Sequence, residues 1–278
     1  MKLFGKEQAS EPKSQAELLY QVQQRKVQLF RANVVISWLF LILILYVVFS
    51  GDSLGLNAIK LDSDFIKANF TFIASGIGVT IYISILSIAL AILLALFAAL
   101  GRLSTFPPFY ALSTFYVSLM RGTPLYLQIF FFFLALPQLG IVLPGLWAGV
   151  LALGLNYGAY MSETFRAAIS SVGKGQREAA IALGMNPGQV MRRIVMPQAL
   201  RFAIPPMGND FIAMTKDSAM VAATGFVHEI MWRATRVGRT NLRNMEALIM
   251  AAIFYWLMTL ILTAIQSRIE ARLARGDR

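Results

Sequence analysis

Apolar runs long enough to cross a bilayer alternate along this chain with short polar segments that carry arginine and lysine. A run of about 18 or more apolar residues reads as a membrane-spanning helix, and six such regions can be placed. The first covers residues 34–50 and the second residues 70–100. The third, 109–136, is interrupted at Arg121-Gly122-Thr123-Pro124. Proline there frees a carbonyl one turn back and glycine adds flexibility, so a kink is expected. The fourth covers 146–169, the fifth 206–227 and the sixth 247–266. The pattern predicts an all-α membrane protein.

Between the fourth and fifth runs lies a polar, helix-forming segment, residues 174–200. Glu178, Ala179 and Ala180 open a stretch of strong helix formers, and Gly184 stands where a left-handed C-terminal cap would sit. Asn186 and Pro187 then read as an N-cap followed by proline at the first helical position. Pro197 is expected to end the second helix. The segment therefore predicts two short helices with a marked joint. An interfacial amphipathic hairpin with no partner is the plainer alternative.

Composition narrows the class. The chain has 278 residues, 57% hydrophobic and 14% charged, with a mean hydropathy of +0.63, a balance that soluble domains seldom reach. The absence of cysteine excludes disulfides and thiolate metal sites. A single histidine, His228, argues against a histidine-built one. The net charge of +11 could suggest nucleic acid. Its placement beside the apolar runs points instead to headgroups and to the positive-inside bias, with no nucleic-acid partner. Lys2, Lys6, Lys13, Arg25, Lys26 and Arg31 place the N-terminal side in the cytoplasm. Six crossings return the C-terminal side, with Arg268, Arg272, Arg275 and Arg278, to the same face. One segment runs against the rule: Arg233, Arg236, Arg239 and Arg243 fall between the fifth and sixth runs, on the outside. No cleavable signal peptide is expected, because a polar stretch of about thirty residues precedes the first apolar run.

Polar groups inside spans are costly and usually face a bundle interior or water. Asn156, Tyr160 and Glu163 share one helical face, and Tyr157 lies one residue round. Glu163, about 17 residues into its span, sits ~25 Å deep, near the cytoplasmic side. It either meets substrate or pairs with Arg166 at i+3. Asp210 and Asp217 also share a face; they either line a pathway or pack between helices, where the Lys216-Asp217 neighbour pair would nearly neutralise itself. Arg121, with Gln128 beyond the break, could hold a carboxylate, a headgroup or an acidic neighbour. No nucleotide-binding Gly-x-x-x-x-Gly-Lys-Ser/Thr motif occurs, so the chain is not expected to be an enzyme and must borrow any driving energy.

The order Glu-Ala-Ala, three residues, Gly, nine residues, Ile-x-Met-Pro, from Glu178 to Pro197, resembles the cytoplasmic loop of type I ABC importer permeases, with Met196 where leucine is usual. Together with Arg121 to Pro124, Asn156 to Tyr160 and the Thr215-Lys216-Asp217-Ser218 run, the chain resembles the polar amino acid uptake family over residues 70–269. That resemblance implies a five-helix core at 70–269. The helix at 34–50 would be an added N-terminal span, and cytoplasmic tails would lie at 1–33 and 270–278. It implies a bacterial inner-membrane, multi-pass permease with both termini cytoplasmic. Loop 174–200 would dock, through Glu178, Ala179, Ala180, Gly184, Asn186, Pro187 and Pro197, on a separate ATPase present in two copies. Arg192 and Arg193 would meet either that ATPase or headgroups. ATP and magnesium would belong to the ATPase, with no cofactor in this chain. A second permease, identical or paralogous, and an extracytoplasmic amino-acid-binding protein would complete the complex. Substrate would pass Arg121, Gln128, Asn156, Tyr157, Tyr160, Glu163, Asp217 and Ser218. The rival reading is an ion-coupled secondary transporter that uses Glu163, Asp210 or Asp217 without an ATPase.

Overall fold

The computed structural model describes residues 15–50 and 61–273. Residues 1–14, 51–60 and 274–278, and with them the outer parts of both expected tails, lie outside the described residues. The chain forms two units, Met1–Leu61 and Asp62–Arg278.

In the first unit, α1 runs unbroken from Gln15 to Ser50. It contains no glycine or proline, and at ~1.5 Å per residue it is ~54 Å long. The polar stretch 15–33 and the apolar stretch 34–50 are thus one rod.

Among the described residues the second unit holds ten α-helices. Helices α2 (Ser63–Ala74) and α3 (Gly76–Arg102) follow one another with only Ser75 between them. Asp62 caps α2 by accepting from the Asp64 and Phe65 amides. The Phe65 amide foremost, then the Asp64 amide and the Arg243 guanidinium, hold the Asp62 carboxyl below the ordinary carboxylate range against some desolvation. Helix α4 (Pro107–Gly122) breaks before α5 (Leu125–Phe130), which continues through a π turn (Phe131–Ala135) and a 3-10 turn (Leu136–Leu139). Then come α6 (Gly145–Ser171), α7 (Lys174–Ala182) and α8 (Pro187–Val190). A π turn (Met191–Val195) leads into α9 (Met196–Asp217), which passes into a 3-10 turn at Ser218–Thr224. Helices α10 (Ile230–Thr240) and α11 (Asn244–Leu273) close the unit.

Residues 22–44, 63–102 and α11 are long and apolar enough to span a membrane on their own. The pair α4 and 125–139, bent by 105°, makes a fourth candidate. Two of the six expected spans fall outside that test for a physical reason. Helix α6 is buried among its neighbours rather than facing lipid, and α9 carries Asp210, Lys216 and Asp217. A helix in the protein interior needs small and polar surfaces more than it needs apolar bulk.

Glycines set the packing of α6. A methyl at Gly154 would stand 2.6 Å from the Leu90 side chain of α3, and one at Gly149 2.4 Å from Val221. Opposite them, α3 buries Ser84, Ser87, Ala91, Ala95 and Ala98, a stripe of small residues that lets the two backbones approach. Helices α2, α10 and α11 form a second cluster around Ile73, Ile230, Ala247 and Phe254.

Two expectations need correction. Pro197 does not end a helix: residues 187–217 are helical throughout, and Pro197 lies in the first turn of α9. Proline cannot donate to the carbonyl four residues back, and its ring crowds that group. The wider π turn at Met191–Val195 accommodates both effects. The helix that carries the fifth run accordingly begins at Met196, not Pro206, and Pro205 and Pro206 lie inside it. On α11, Gln266 donates to the Pro205 carbonyl and the Asn209 side chain, both at 3.1 Å.

Candidate functional site

Two structures carry the candidate chemistry, a polar hairpin and a string of cavities. In the hairpin, Gly184 has φ +79°. The Gly184 amide donates to the Ile181 carbonyl at 2.9 Å and the Met185 amide to the Ala180 carbonyl at 3.1 Å. These two bonds are the paired closure of a Schellman cap, which satisfies carbonyls the helix end would leave open. Asn186 and Gln189 form a reciprocal capping box, at 2.9 and 3.0 Å, with Pro187 at the first helical position. Glu178, Ala179, Gly184, Asn186, Pro187, Arg192, Arg193 and Pro197 are exposed. Ala180 is not: it is buried in the chain's own core with Val190 and Val195, so its methyl closes the hairpin and does not face outward. Ile181 and Leu183, which sequence reasoning passed over, project instead at 59% and 80% exposure. Their helical register with Ala180 was the available signal. Arg177 donates to the Ile169 carbonyl and Gln198 to Gln176, tying the hairpin to the ends of α6 and α9.

The cavities begin with a chamber of about 590 Å³ lined by Arg121, Asn156, Tyr157, Tyr160, Asp210 and Asp217, among others. Elements far apart in sequence thus bring five of the predicted pathway residues to one wall or another. Tyr157 donates to Asp217 at 2.7 Å, and the Arg121 guanidinium lies 5.1 Å from the centre of the Tyr160 ring. Asp210, seven residues before Asp217, completes the acidic side.

Asn156 has a second task. Its amide donates to the Met120 carbonyl at 3.1 Å and to Gln128 at 3.3 Å. Gln128 in turn donates to the Met120 carbonyl and to the carbonyl and hydroxyl of Thr123. The break between α4 and α5 strands these carbonyls, and the two amides satisfy them. Gln128 therefore lies behind the chamber wall, buried and engaged with backbone. Ser218 is also buried and donates to Thr215, because the chain tightens into the 3-10 turn there. Neither residue lines the chamber.

Glu163 lies outside the chamber too. It faces a neighbouring cavity of about 410 Å³, where Arg102, Arg121 (3.2 Å) and Arg166 (3.0 Å) converge on its carboxylate. Arg121, Gly122 and Tyr160 line both cavities and so form the partition between them. Arg102 was not anticipated; a basic residue in the last turn of α3 was its only trace. A third cavity, about 730 Å³, opens beyond Met220, which it shares with the chamber. It lies at the end of α9 remote from the hairpin, ~33 Å along a helix of 22 residues.

Residues 91–275 match the model of the family described as binding-protein-dependent transport system inner membrane component. The arginine transport system permease protein ArtQ of Bacillus subtilis (strain 168) is 40% identical over 207 residues, 74% of this chain and 94% of that protein. The L-cystine transport system permease protein TcyB of the same organism is 39% identical over 214 residues, 76% of this chain and 91% of that one. Among solved structures, a chain of an amino acid ABC transporter crystallised with histidines superposes with a TM-score of 0.72 at 34% identity, covering 77% of this chain and all of that one. The MetNI methionine ABC transporter in an inward-facing form, at a TM-score of 0.57 and 16% identity, shares the fold.

Proposed function

We infer the working of this chain from its membership: it belongs to the family of binding-protein-dependent transport system inner membrane components, among the permeases of amino acid ABC importers. The finer reading is that the 590 Å³ chamber passes an amino acid zwitterion, with Arg121 facing the carboxylate and Asp210 and Asp217 facing the ammonium group. The observation that carries it is the meeting, in one cavity, of a guanidinium from the broken span with carboxylates from α9. ArtQ and TcyB are named for different cargoes at nearly equal identity to this chain. Arginine and cystine share their α-ammonium and α-carboxylate groups, which is what the chamber's charges complement.

The hairpin supplies the drive. Its exposed apolar pair, Ile181 and Leu183, would seat in a groove of a separate ATPase, and two ATPase copies closing on ATP would bring two such hairpins together. Because α9 starts at the hairpin and carries Asp210 and Asp217, a push there moves the acidic wall of the chamber. Rigid-body rocking of this kind alternates access between the two membrane faces. The hairpin and both termini would lie on the cytoplasmic side. An extracytoplasmic binding protein would deliver cargo, and a second permease, identical or paralogous, would complete the pathway.

The test is ATPase activity of the complex reconstituted in lipid, with binding protein loaded by each amino acid in turn. Stimulation by a loaded protein, lost in Asp217→Asn while the ATPase stays bound, supports the chamber. Gradient-driven flux through this chain without any ATPase overturns the coupling and favours an ion-coupled transporter.

A further inference from the structure

The arginines between the fifth and sixth spans divide into two kinds. Arg243 pairs with Asp62 at 3.3 Å and Glu246 at 3.4 Å. Arg233 donates to the carbonyls of His228 and Phe72 and lies over the Phe72 ring. Arg233 ties α10 to α2, and Arg243, in the turn after α10, ties that turn to the start of α2 and to α11. Arg236 and Arg239 do neither. They are exposed, share one face of α10, and have no carboxylate partner among the described residues; Arg236 only rests 5.8 Å from the Trp232 ring centre. The acids packed around α10 are already engaged: Asp62 and Glu246 by Arg243, and Glu229 by the Met231 and Trp232 amides and Tyr255.

Both of these arginines line the 730 Å³ cavity, whose wall at Met220 is also a wall of the chamber. A positive cluster on this face runs against the positive-inside bias, which disfavours arginines that only flank a span there. We propose that Arg236 and Arg239 form an entry subsite that takes the α-carboxylate of an amino acid before it reaches the chamber. Guanidinium groups suit the task, because each presents a planar donor fork to a carboxylate and stays charged at any physiological pH. Past Met220 the sign of the wall reverses at Asp217 and Asp210, so a zwitterion held by its carboxylate enters with its ammonium group free to turn toward them. The proposal rests on the importer reading for its direction, since the cavity lies at the end of α9 remote from the hairpin.

The chain contains no cysteine, so an introduced thiol reports on one position of this subunit, and the parent transporter without it gives the background from its partners. Ala223 is exposed and lines the cavity, and Ala223→Cys in the assembled transporter, in phosphatidylcholine nanodiscs, gives the readout. The rates to compare are those of a sulfonate-bearing and a trimethylammonium-bearing methanethiosulfonate. The expected ratio favours the anionic reagent and falls about tenfold when Arg236→Gln and Arg239→Gln are added. L-arginine should slow labelling more than L-argininamide, which lacks the carboxylate, and that difference should vanish in the double variant. Arg236→Lys with Arg239→Lys should keep the rate ratio and lose most of the protection. An unchanged rate ratio in the double Gln variant overturns the proposal, and so does equal protection by acid and amide. Protection that appears only when anionic lipid is added assigns the arginines to headgroups and overturns it as well. ATP-driven uptake by the parent transporter, with its ATPase, in proteoliposomes of the same lipid tests the importer reading separately.

Discussion

Two of the breaks between helices of the second unit are closed in different ways. At Gly184 to Asn186 the chain mends its own ends: the Schellman bonds and the capping box all fall between residues 180 and 189. At Gly122 to Pro124 the loose carbonyls are satisfied by side chains, Gln128 in the next helix and, from 36 residues past Met120, Asn156 on α6. A self-closed break can stand exposed and offer a rigid shape to another protein. A break closed by neighbouring side chains ties its helices to those neighbours, and the helices that close it become walls of a cavity. The difference separates the part of the molecule that would receive force from the part that would handle cargo.

The sharpest way to break the comparison is Gly184→Pro. Proline cannot adopt φ +79° and removes the amide that donates to Ile181. ATP-driven uptake should be abolished while the chain remains in the membrane; normal uptake in that variant removes the hairpin from the coupling path. Asn156→Leu should act the other way round. It removes the Met120 carbonyl's second donor and leaves the Gln128 side-chain oxygen unpaired in a buried setting, at a cost of about 1–3 kcal/mol. Thermal unfolding in detergent should shift downward, with ATPase association retained. A variant as stable as the parent would show that Gln128 alone holds the break.

Smaller effects refine the picture. Glu163→Gln leaves three guanidinium groups without their shared carboxylate. Because the groups are partly exposed, the loss should be about 1 kcal/mol and should shrink as salt is raised. A loss independent of salt would point to packing in place of charge. Asn186→Ala removes the hairpin cap at about 1 kcal/mol, felt locally. Hydrogen exchange at residues 186–190 should rise, with protection of α6 unaltered. If α6 loosens too, the hairpin is less self-contained than its hydrogen bonds indicate.

Much of this architecture was legible before the fold was known. The hairpin's joint, its cap residues and the break at Gly122-Thr123-Pro124 depend on φ preferences and on missing or orphaned backbone groups within a few residues of each other. The apolar runs marked the first, second, third and sixth spans, since lipid selects against charge along a whole helix face. They marked the fourth and fifth less well, because those helices are small or polar inside the bundle. The chamber was legible only as a set of residue types. Asn156, Tyr157, Tyr160 and Asp217 could be singled out as polar groups in apolar surroundings, but not which of them faced outward from the wall. Gln128 and Ser218 carried the same signal and turned to backbone.

The sequence by itself determined the joint of the hairpin and the break at Gly122-Thr123-Pro124, because capping and glycine at positive φ are settled between near neighbours. It did not determine the passage through Pro197, which a π turn carries into α9. Only the tertiary structure decided which polar groups share a cavity and which pair off. Arg102, Arg121 and Arg166 approach the one Glu163 carboxylate from three helices, and Tyr157 meets Asp217 across 60 residues of chain. The same structure left Arg236 and Arg239 without an acid while giving two to Arg243. Such pairings depend on the close approach of α3, α4, α6 and α9, which the small residues on α3 and the glycines of α6 permit. Charge is read along the chain, but its partner is chosen by packing.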